Sequence, residues 1–339
     1  MPESRRPTIL DVAARAGVSK SLVSNVLRGV PTVSPARRDA VLRAAEELGY
    51  RPNAVARSLV QRRTRTMGVL VSNLHNPFFA DVIDGLQAVA GRHGYTVLLV
   101  SGGRDAAVEA QTVDALLEQR VDGLVLLSPH LPSAQVARAA AAVPVVAVGR
   151  RYRDVRGADW VVSDDDAGTG LAVAHLVELG HRRIAHIGGG RRAGGRERSR
   201  GYRAAMTAAG LPLGPEVADD SFTTEEGGNA AARRLLDAPR RPTAVLAVND
   251  LAAVGAMDAV EAAGLRVPAD LSIVGYDNSA LAGLRHVALT TVDQPRVEMG
   301  ERAADLLLRR VDGHGGPARH VLLAPRLVVR ATTAPPATG

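Results

Sequence analysis

Five apolar runs in this 339-residue chain end in side chains able to grip a polar ring. Asn76-Pro77-Phe78-Phe79 comes after MGVLV, and Asp164-Asp165-Asp166 after VVS. Arg198 stands at the start of a helical pattern after the glycine-rich IGGGRRAGG. Asn249-Asp250 follows AVLAV, and Asp277-Asn278 follows SIVGY. The chain's three phenylalanines, Phe78, Phe79 and Phe222, all fall at such positions or after an extended stretch. Aromatic faces with convergent carboxylate, amide and guanidinium groups suit a small polar ring such as a sugar or related polyol. Asn76, Phe78, Phe79, Asp164, Arg198, Phe222, Asn249 and Asp277 are therefore the candidate ligand contacts. Plainer roles compete at some positions. Asp166 and Asp250 precede helices and suit capping, and Phe78 or Phe79 alone serves equally well in a core. Asp277 and Arg198 each follow a strand–loop junction and are the firmer candidates.

Catalytic patterns are missing. There is no Gly-x-Ser-x-Gly elbow and no His-Glu-x-x-His, and the nine histidines are scattered. The adjacent carboxylates Asp164 and Asp165 are a weak basis for glycoside hydrolysis, because neighbours on a loop more often cap or solvate. With no cysteine, thiolate metal sites, disulfides and cysteine nucleophiles are excluded. Lys20 is the only lysine, so a phosphate loop ending in Gly-Lys-Ser/Thr is impossible. Glycines 188–190 lack dinucleotide-binding spacing and read as a turn. The expectation is a non-enzyme without cofactor or metal.

The elements that must position these groups alternate. MGVLV, YTVLLVS, VDGLVLL and VPVVAVG are short β-type runs separated by helix-length segments, and the rhythm returns in RRIAHIGG, PTAVLAV and DLSIVGYD. Such alternation predicts an α/β body of parallel sheets with covered faces. There are too many units for one compact sheet, so two similar subdomains are expected. Ligands of such sheets bind beyond the carboxyl ends of the strands, where the candidate residues lie.

The first fifth of the chain has another character. Residues 1–65 hold 13 Lys+Arg against 5 Asp+Glu, whereas the remaining 274 residues hold 29 against 30. A local positive field attracts a polyanion. Thr8 precedes Ile9, Val12, Ala13 and Ala16, which share one helical face, and Thr8 with Asp11 suggests a capping box. Gly17 permits a left-handed turn, and Ser19 caps a second helix, Lys20–Leu27. That helix has an apolar face of Leu22, Val23, Val26 and Leu27 and a polar face of Lys20, Ser21, Ser24 and Asn25. Ser34-Pro35 opens a third helix, packed through Val41, Leu42, Ala45 and Leu48. This is helix-turn-helix spacing, in which the second helix enters the major groove. Residues 52–60 are too few for an isolated stable helix and precede an arginine-rich linker, as a hinge that folds on meeting a partner would. Leu59 would wedge between base pairs from the minor groove, with Arg57 and Arg62 on phosphates.

The head resembles the lactose-repressor (LacI/GalR) family of bacterial transcription regulators. Its marks are Asp11-Val12-Ala13, Ala16-Gly17-Val18-Ser19, Val23-Ser24, Tyr50-Arg51-Pro52-Asn53 and Ala56-Arg57-Ser58-Leu59. In the body they are Asn76-Pro77-Phe78-Phe79, Val121-Asp122-Gly123, residues 179–184, Gly201-Tyr202, Asn249-Asp250, Val274-Gly275-Tyr276-Asp277 and residues 289–292. The resemblance implies that Lys20, Ser21 and Asn25 read bases in the major groove while Asn53, Ala56 and Leu59 act from the minor groove. Thr8, Ser19, Ser24, Arg28, Ser34 and Arg57 complete the expected DNA-facing set. The sequence differs from family habit at Leu22, Asn25 and Arg28, which bears on the DNA sequence read. For the body, the resemblance implies a two-subdomain, periplasmic-binding-protein-like fold with three crossovers, with Phe79, Arg198, Phe222, Asn249 and Asp277 at effector-contact positions.

The expected organisation is a head at 1–60 with a hinge helix at 52–60, a linker at 61–66, a body at 67–333 and a tail at 334–339. Within the body, a lower subdomain covers about 67–180 and 294–321, and an upper one about 181–293 and 322–333. The expected partners are a near-palindromic double-stranded DNA operator, a small polar effector and a second copy of the chain. The stretch after Arg330, ATTAPPATG, offers no leucine heptads for a larger bundle, so a homodimer is expected. The first residues show no signal-peptide pattern, and no run approaches the ~20 apolar residues of a membrane span. The expected location is therefore the cytoplasm, nucleoid-associated when operator-bound.

Overall fold

The computed structural model describes residues 7–27, 31–50, 63–191 and 194–337. The chain divides between Thr64 and Arg65 into two compact units. Arg28, Asn53, Ala56, Arg57, Leu59 and the expected hinge helix lie outside the described residues.

The first unit holds α1 (Ile9–Ala16), α2 (Lys20–Leu27) and α3 (Pro35–Glu47). The Asp11 amide donates to the Thr8 hydroxyl, and the Thr8 amide donates to the Asp11 carboxylate at 2.7 Å, giving the reciprocal cap. Gly17 ends α1 at φ 64°, a left-handed conformation that costs glycine nothing. Val12, Ala13, Val23, Val26, Val33, Val41, Ala44 and Ala45 form the core. Leu42, expected inside, is exposed, and Ala44 lies in the core instead. Positions 41, 44, 45 and 48 form one helical stripe, and residue 42 is rotated off it by about 100°.

The second unit contains two six-stranded sheets. The first runs in the order β11 (His320–Leu323), β5 (Ala158–Ser163), β4 (Val145–Val148), β3 (Gly123–Leu127), β1 (Thr66–Val71), β2 (Thr96–Ser101), all parallel. Helices α4 (Phe78–Arg92), α5 (Ala106–Glu118), α6 (Ser133–Ala142) and α11 (Arg296–Val311) pack around it. The second runs β12 (Arg326–Val328), β10 (Thr290–Asp293), β9 (Ser272–Asp277), β8 (Ala244–Ala247), β6 (Ile184–Gly188), β7 (Glu216–Ala218). Its helices are α7 (Asp165–Glu178), α8 (Gly195–Ala208), α9 (Glu225–Leu236) and α10 (Asp250–Ala262). β12 alone pairs antiparallel, against β10.

The runs MGVLV and GLVLL become the buried central strands β1 and β3, as continuous apolar runs in covered parallel sheets should. TVLLVS is just as apolar, yet β2 is an edge strand, and Leu98 and Leu99 are exposed. The chain passes between the sheets three times: after β5, between β10 and α11, and between β11 and β12. The first passage lies at Ser163–Asp165, not near residue 180. Helix α7 packs on α8 and on β10, β12 and β8, burying Ala172, Val173 and Leu176 against Ile184, Tyr202, Tyr276 and Val292. The last passage falls at 324–325 rather than between 321 and 322. Among the described residues no helix is long and apolar enough to cross a membrane.

A candidate ligand cleft and a candidate nucleic-acid interface

Residues beyond the carboxyl ends of strands from both sheets converge on one inner cavity of about 80 Å³. The first sheet contributes Asn76, Phe78 and Phe79 after β1, Arg104 after β2, and Ser128 and His130 after β3. The second contributes Asn249 after β8, Asp277 at the end of β9 and Gln294 after β10, with Asp165 and Arg198 from α7 and α8.

Arg198 is the hub. Its Nε donates to Asp165 Oδ1 at 3.0 Å and its Nη1 to the Val248 carbonyl at 2.5 Å. Nη1 also lies 3.6 Å from Asp277 Oδ1, and the guanidinium sits 3.8 Å above the centre of the Tyr276 ring. Burial by itself would lower the pKa of Arg198, but Asp165 and then Asp277 outweigh it, so the cation is held more firmly than usual. Burial pushes the Asp277 carboxyl up to about 7 against the pull of Arg198, and Gln294 and Asn76 also support the charge. Gln294 Nε2 donates to Asp277 Oδ1 at 2.7 Å. Burial likewise raises the pKa of Asp165, with Arg198 opposing.

Asp277 and Asn278 have φ of 116° and 50°, a backbone that costs about 1–3 kcal/mol per non-glycine residue. The surroundings hold it in place. Arg296 Nη1 donates to the Asp277 carbonyl, and Asn278 Nδ2 donates to Asp293 Oδ1 at 3.0 Å. Arg330 Nη2 donates to Asn278 Oδ1 at 2.6 Å. Arg296 also ties this corner to α4 of the first sheet, donating to Asp81 Oδ2 at 2.6 Å. On the other side of the cleft, Arg104 Nη2 reaches Thr223 Oγ1 at 2.9 Å and the Asp220 carbonyl at 3.3 Å. Both arginines thus bridge groups attached to different sheets.

The expected contacts divide. Asn76, Phe78, Phe79, Arg198, Asn249 and Asp277 line the cavity. Phe78 and Phe79 meet edge to face, with ring centres 5.2 Å apart. Asn249 also caps α10, accepting from the Ala252 amide at 2.8 Å, and donates to the Thr223 carbonyl. Asp164 does not line the cavity. It caps α7, accepting from the Ala167 amide at 3.1 Å, so its carboxylate turns back over the first helical turn and its neighbour Asp165 faces the cleft. Phe222 is core: it packs with Ala231, Ala232 and Leu235 under Arg234, while Thr223 faces the cavity. Asp250, read as a cap, instead joins the ends of β9 and β10 by accepting from the Ser279 amide and the Thr291 hydroxyl, both at 2.6 Å. Burial raises its pKa to about 6. Asp166 is exposed and paired with Arg200. Arg104, His130 and Gln294 also line the cavity without having been among the candidates, and so does Asp165, which was noted beside Asp164 but not chosen; the strand-end rule that found the others points to each.

In the first unit, Ser19, Lys20 and Ser21 are exposed at the start of α2, and Ser24 and Asn25 are half-buried further along. The Ser19 hydroxyl accepts from the Leu22 amide at 3.2 Å. Thr8 spends its hydroxyl on the α1 cap, and Ser34 is exposed before α3 without a side-chain cap. The arrangement offers a short basic, hydroxyl-bearing helix end to an external polyanion.

A helix-turn-helix unit and a two-sheet unit with a polar cleft, in one chain, define a ligand-responsive regulator. Comparison with known proteins gives the particular family. Residues 8–53 match the description "Bacterial regulatory proteins, lacI family", and residues 173–333 match "Periplasmic binding protein-like domain". The ribose operon repressor of Haemophilus influenzae is 36% identical over 324 residues, covering 95% of this chain and 97% of that protein. The solved lac repressor dimer bound to operator and the anti-inducer ONPF superimposes with a TM-score of 0.87 at 31% identity, covering 97% of this chain and 100% of that one. The transcriptional regulator CelR–cellobiose complex does so with a TM-score of 0.72 at 37% identity, covering 96% and 100%. The chain belongs to the lacI family of bacterial regulatory proteins, and so to regulators rather than enzymes.

Proposed function

We propose that this protein is a transcriptional repressor whose hold on operator DNA is gated by a small sugar-like effector bound between the two sheets. The observation that carries this reading is the buried Arg198–Asp165–Asp277 cluster at a cavity joining both sheets. Charged groups this well paired are costly to bury, and a ligand rich in hydroxyls can exchange hydrogen bonds with them. Asn76, Phe78, Phe79, Asn249 and Gln294 complete the site, the rings packing on the apolar face of the sugar. Relatives named for ribose and solved with cellobiose support a saccharide.

Lys20, Ser21, Ser24 and Asn25 approach base edges in the major groove, with Ser19, Thr8, Ser34 and Arg28 nearer the backbone. Asn53, Ala56, Arg57 and Leu59 act from the minor groove. The working form is a homodimer on a near-palindromic site, in the cytoplasm and on the nucleoid when bound. A lac repressor solved as an operator-bound dimer supports this. Effector changes the angle between the halves that Arg104 and Arg296 bridge, and a coupling of ~1–3 kcal/mol would shift occupancy ~5–150-fold.

The test is a gel shift of the full chain on operator DNA with and without a panel of sugars. Operator affinity should fall with salt at a slope near −0.9 per phosphate contact, and at least one sugar should change it. A protein that binds duplex DNA with no salt dependence, or that ignores every sugar, does not work this way.

A further inference from the structure

The inner cavity opens into a second, outer one of about 570 Å³, and the two share Arg104, His130, Gly149, Val162 and Asp165. The outer compartment is lined by five arginines: Arg104, Arg150, Arg151, Arg191 and Arg196. Four acids accompany them. Asp105 accepts from the Ala107 and Val108 amides that open α5, and Asp165 pairs with Arg198 of the inner cavity. Asp220 accepts from the Arg191 amide at 2.6 Å and lies 3.6 Å from its guanidinium, so Arg191 is already paired within the compartment.

Arg150 and Arg151 are the telling pair. Both are half-buried, and among the described residues neither has a carboxylate within ion-pair distance. Arg150 donates to the Pro129 carbonyl at 2.8 Å and lies 5.0 Å from the centre of the Tyr152 ring. Arg151 stands 5.9 Å from the centre of the Trp160 ring. Two guanidiniums anchored on carbonyl and π surfaces keep donors available for an incoming anion.

Resting on the sugar-gated reading above, we propose that the effector is a phosphorylated sugar, its ring in the inner cavity and its phosphate in the outer, arginine-lined compartment. A neutral monosaccharide would leave the outer compartment to water. A carboxylate would be satisfied by one bidentate arginine, whereas a phosphate offers three oxygens and close to two negative charges and can engage several.

The experiment uses the full-length protein and its single tryptophan, Trp160, as reporter. Calorimetry and Trp160 fluorescence are recorded for ribose, ribose 5-phosphate, cellobiose, glucose 6-phosphate and glucuronate. A sugar phosphate should bind at least tenfold tighter than any neutral sugar or glucuronate, and it should perturb Trp160 as Arg151 leaves the ring. Its affinity should weaken as salt rises from ~0.1 to ~1 M, where the Debye length shrinks from ~10 to ~3 Å. In Arg150→Gln/Arg151→Gln, affinity for the phosphate should fall about tenfold or more, the loss expected with charge-assisted hydrogen bonds. Its affinity for neutral sugars should stay unchanged. If that variant fails to melt cooperatively, the salt series on the unaltered protein decides. Neutral ribose, cellobiose or glucuronate binding as tightly as the phosphates overturns the phosphate assignment but leaves sugar gating intact. No binding of any sugar, neutral or charged, overturns both.

Discussion

The two units carry polar chemistry in opposite ways. In the first unit, Ser19, Lys20 and Ser21 lie exposed on a short helix, over a core of small aliphatic side chains. In the second, Arg198, Asp165 and Asp277 are buried and already paired with one another. The difference follows from the partners. A duplex is large, rigid and charged throughout, so donors on a surface suffice and counterion release supplies much of the affinity. A small ligand releases few counterions, and its site must hold its polar groups in place beforehand at a cost in desolvation. Changes at the exposed donors of the first unit should therefore alter affinity and leave stability alone, whereas changes at the buried, paired cluster of the second should alter both.

The largest break in that comparison is removal of the first unit. A chain beginning at Arg65 should lose specific operator binding by ~10³-fold or more, since specific and non-specific affinities differ by at least that factor. It should keep a sugar-dependent rise in melting temperature. A truncated chain that still shifts operator DNA would move the interface into the second unit.

Next is Arg198→Met. It strands Asp165 and Asp277 without their cation, and breaking a buried pair this way typically costs ~3–5 kcal/mol. The melting temperature of the second unit should fall by on the order of 10 °C. Lys20→Ala should weaken operator binding while leaving the melting temperature within a degree or so. Equal stability losses for the two variants would remove the contrast.

How far each unit was legible in sequence follows from the same physics. The first unit depends on local signals: the Thr8/Asp11 cap, the Gly17 turn, and the i, i+3, i+4 stripes. Leu42 was misplaced only because two adjacent aliphatics competed for one stripe. In the second unit the strand runs were legible because central parallel strands are apolar on both faces. Sequence did not distinguish the edge strand β2 from them, because edge or centre is decided by pairing partners distant in the chain. The site shows the same limit. Asp277 and Arg198 were accessible through the strand-end rule. The choice between Asp164 and Asp165 turns on a single residue of helix phase, and Phe222 on which way one loop residue faces.

That helix phase supplies a finer test. Asp277→Asn should lower sugar affinity ~5–150-fold, the loss of an acceptor facing a polar ligand being ~1–3 kcal/mol. Asp164→Ala should cost ~0.5–2 kcal/mol of stability through the lost cap with sugar affinity intact. The reverse pattern would return Asp164 to the site.

The smallest effect is in pH, and its sign separates the buried carboxyls Asp277 and Asp250 from the buried His186. Burial raises Asp277 from 3.8 to about 7 and Asp250 from 3.8 to about 6. The folded protein holds these protons at pH values where the unfolded chain has released them. Their contribution to stability is present below pH 4 and is lost as pH rises towards 7. His186 acts oppositely. Buried beside Tyr202, it is pushed by desolvation from 6.5 to about 4. Its folded form lacks a proton that the unfolded chain holds, so it adds stability present above pH 6.5 and lost as pH falls towards 4. The two effects cancel in part between pH 4 and 6.5, and the raw melting curve is a poor reporter there. The difference between Asp277→Asn and the unaltered protein removes the His186 contribution common to both and keeps that of Asp277 together with Asp250, whose charge raises it. That difference should drift in favour of the Asn variant as pH rises from 4 to 7 and flatten above. A saturating sugar should change the drift, because the ligand takes over hydrogen bonds to Asp277. A pH-independent difference would mean that Asp277 stays ionised across the range and that Arg198 outweighs its burial.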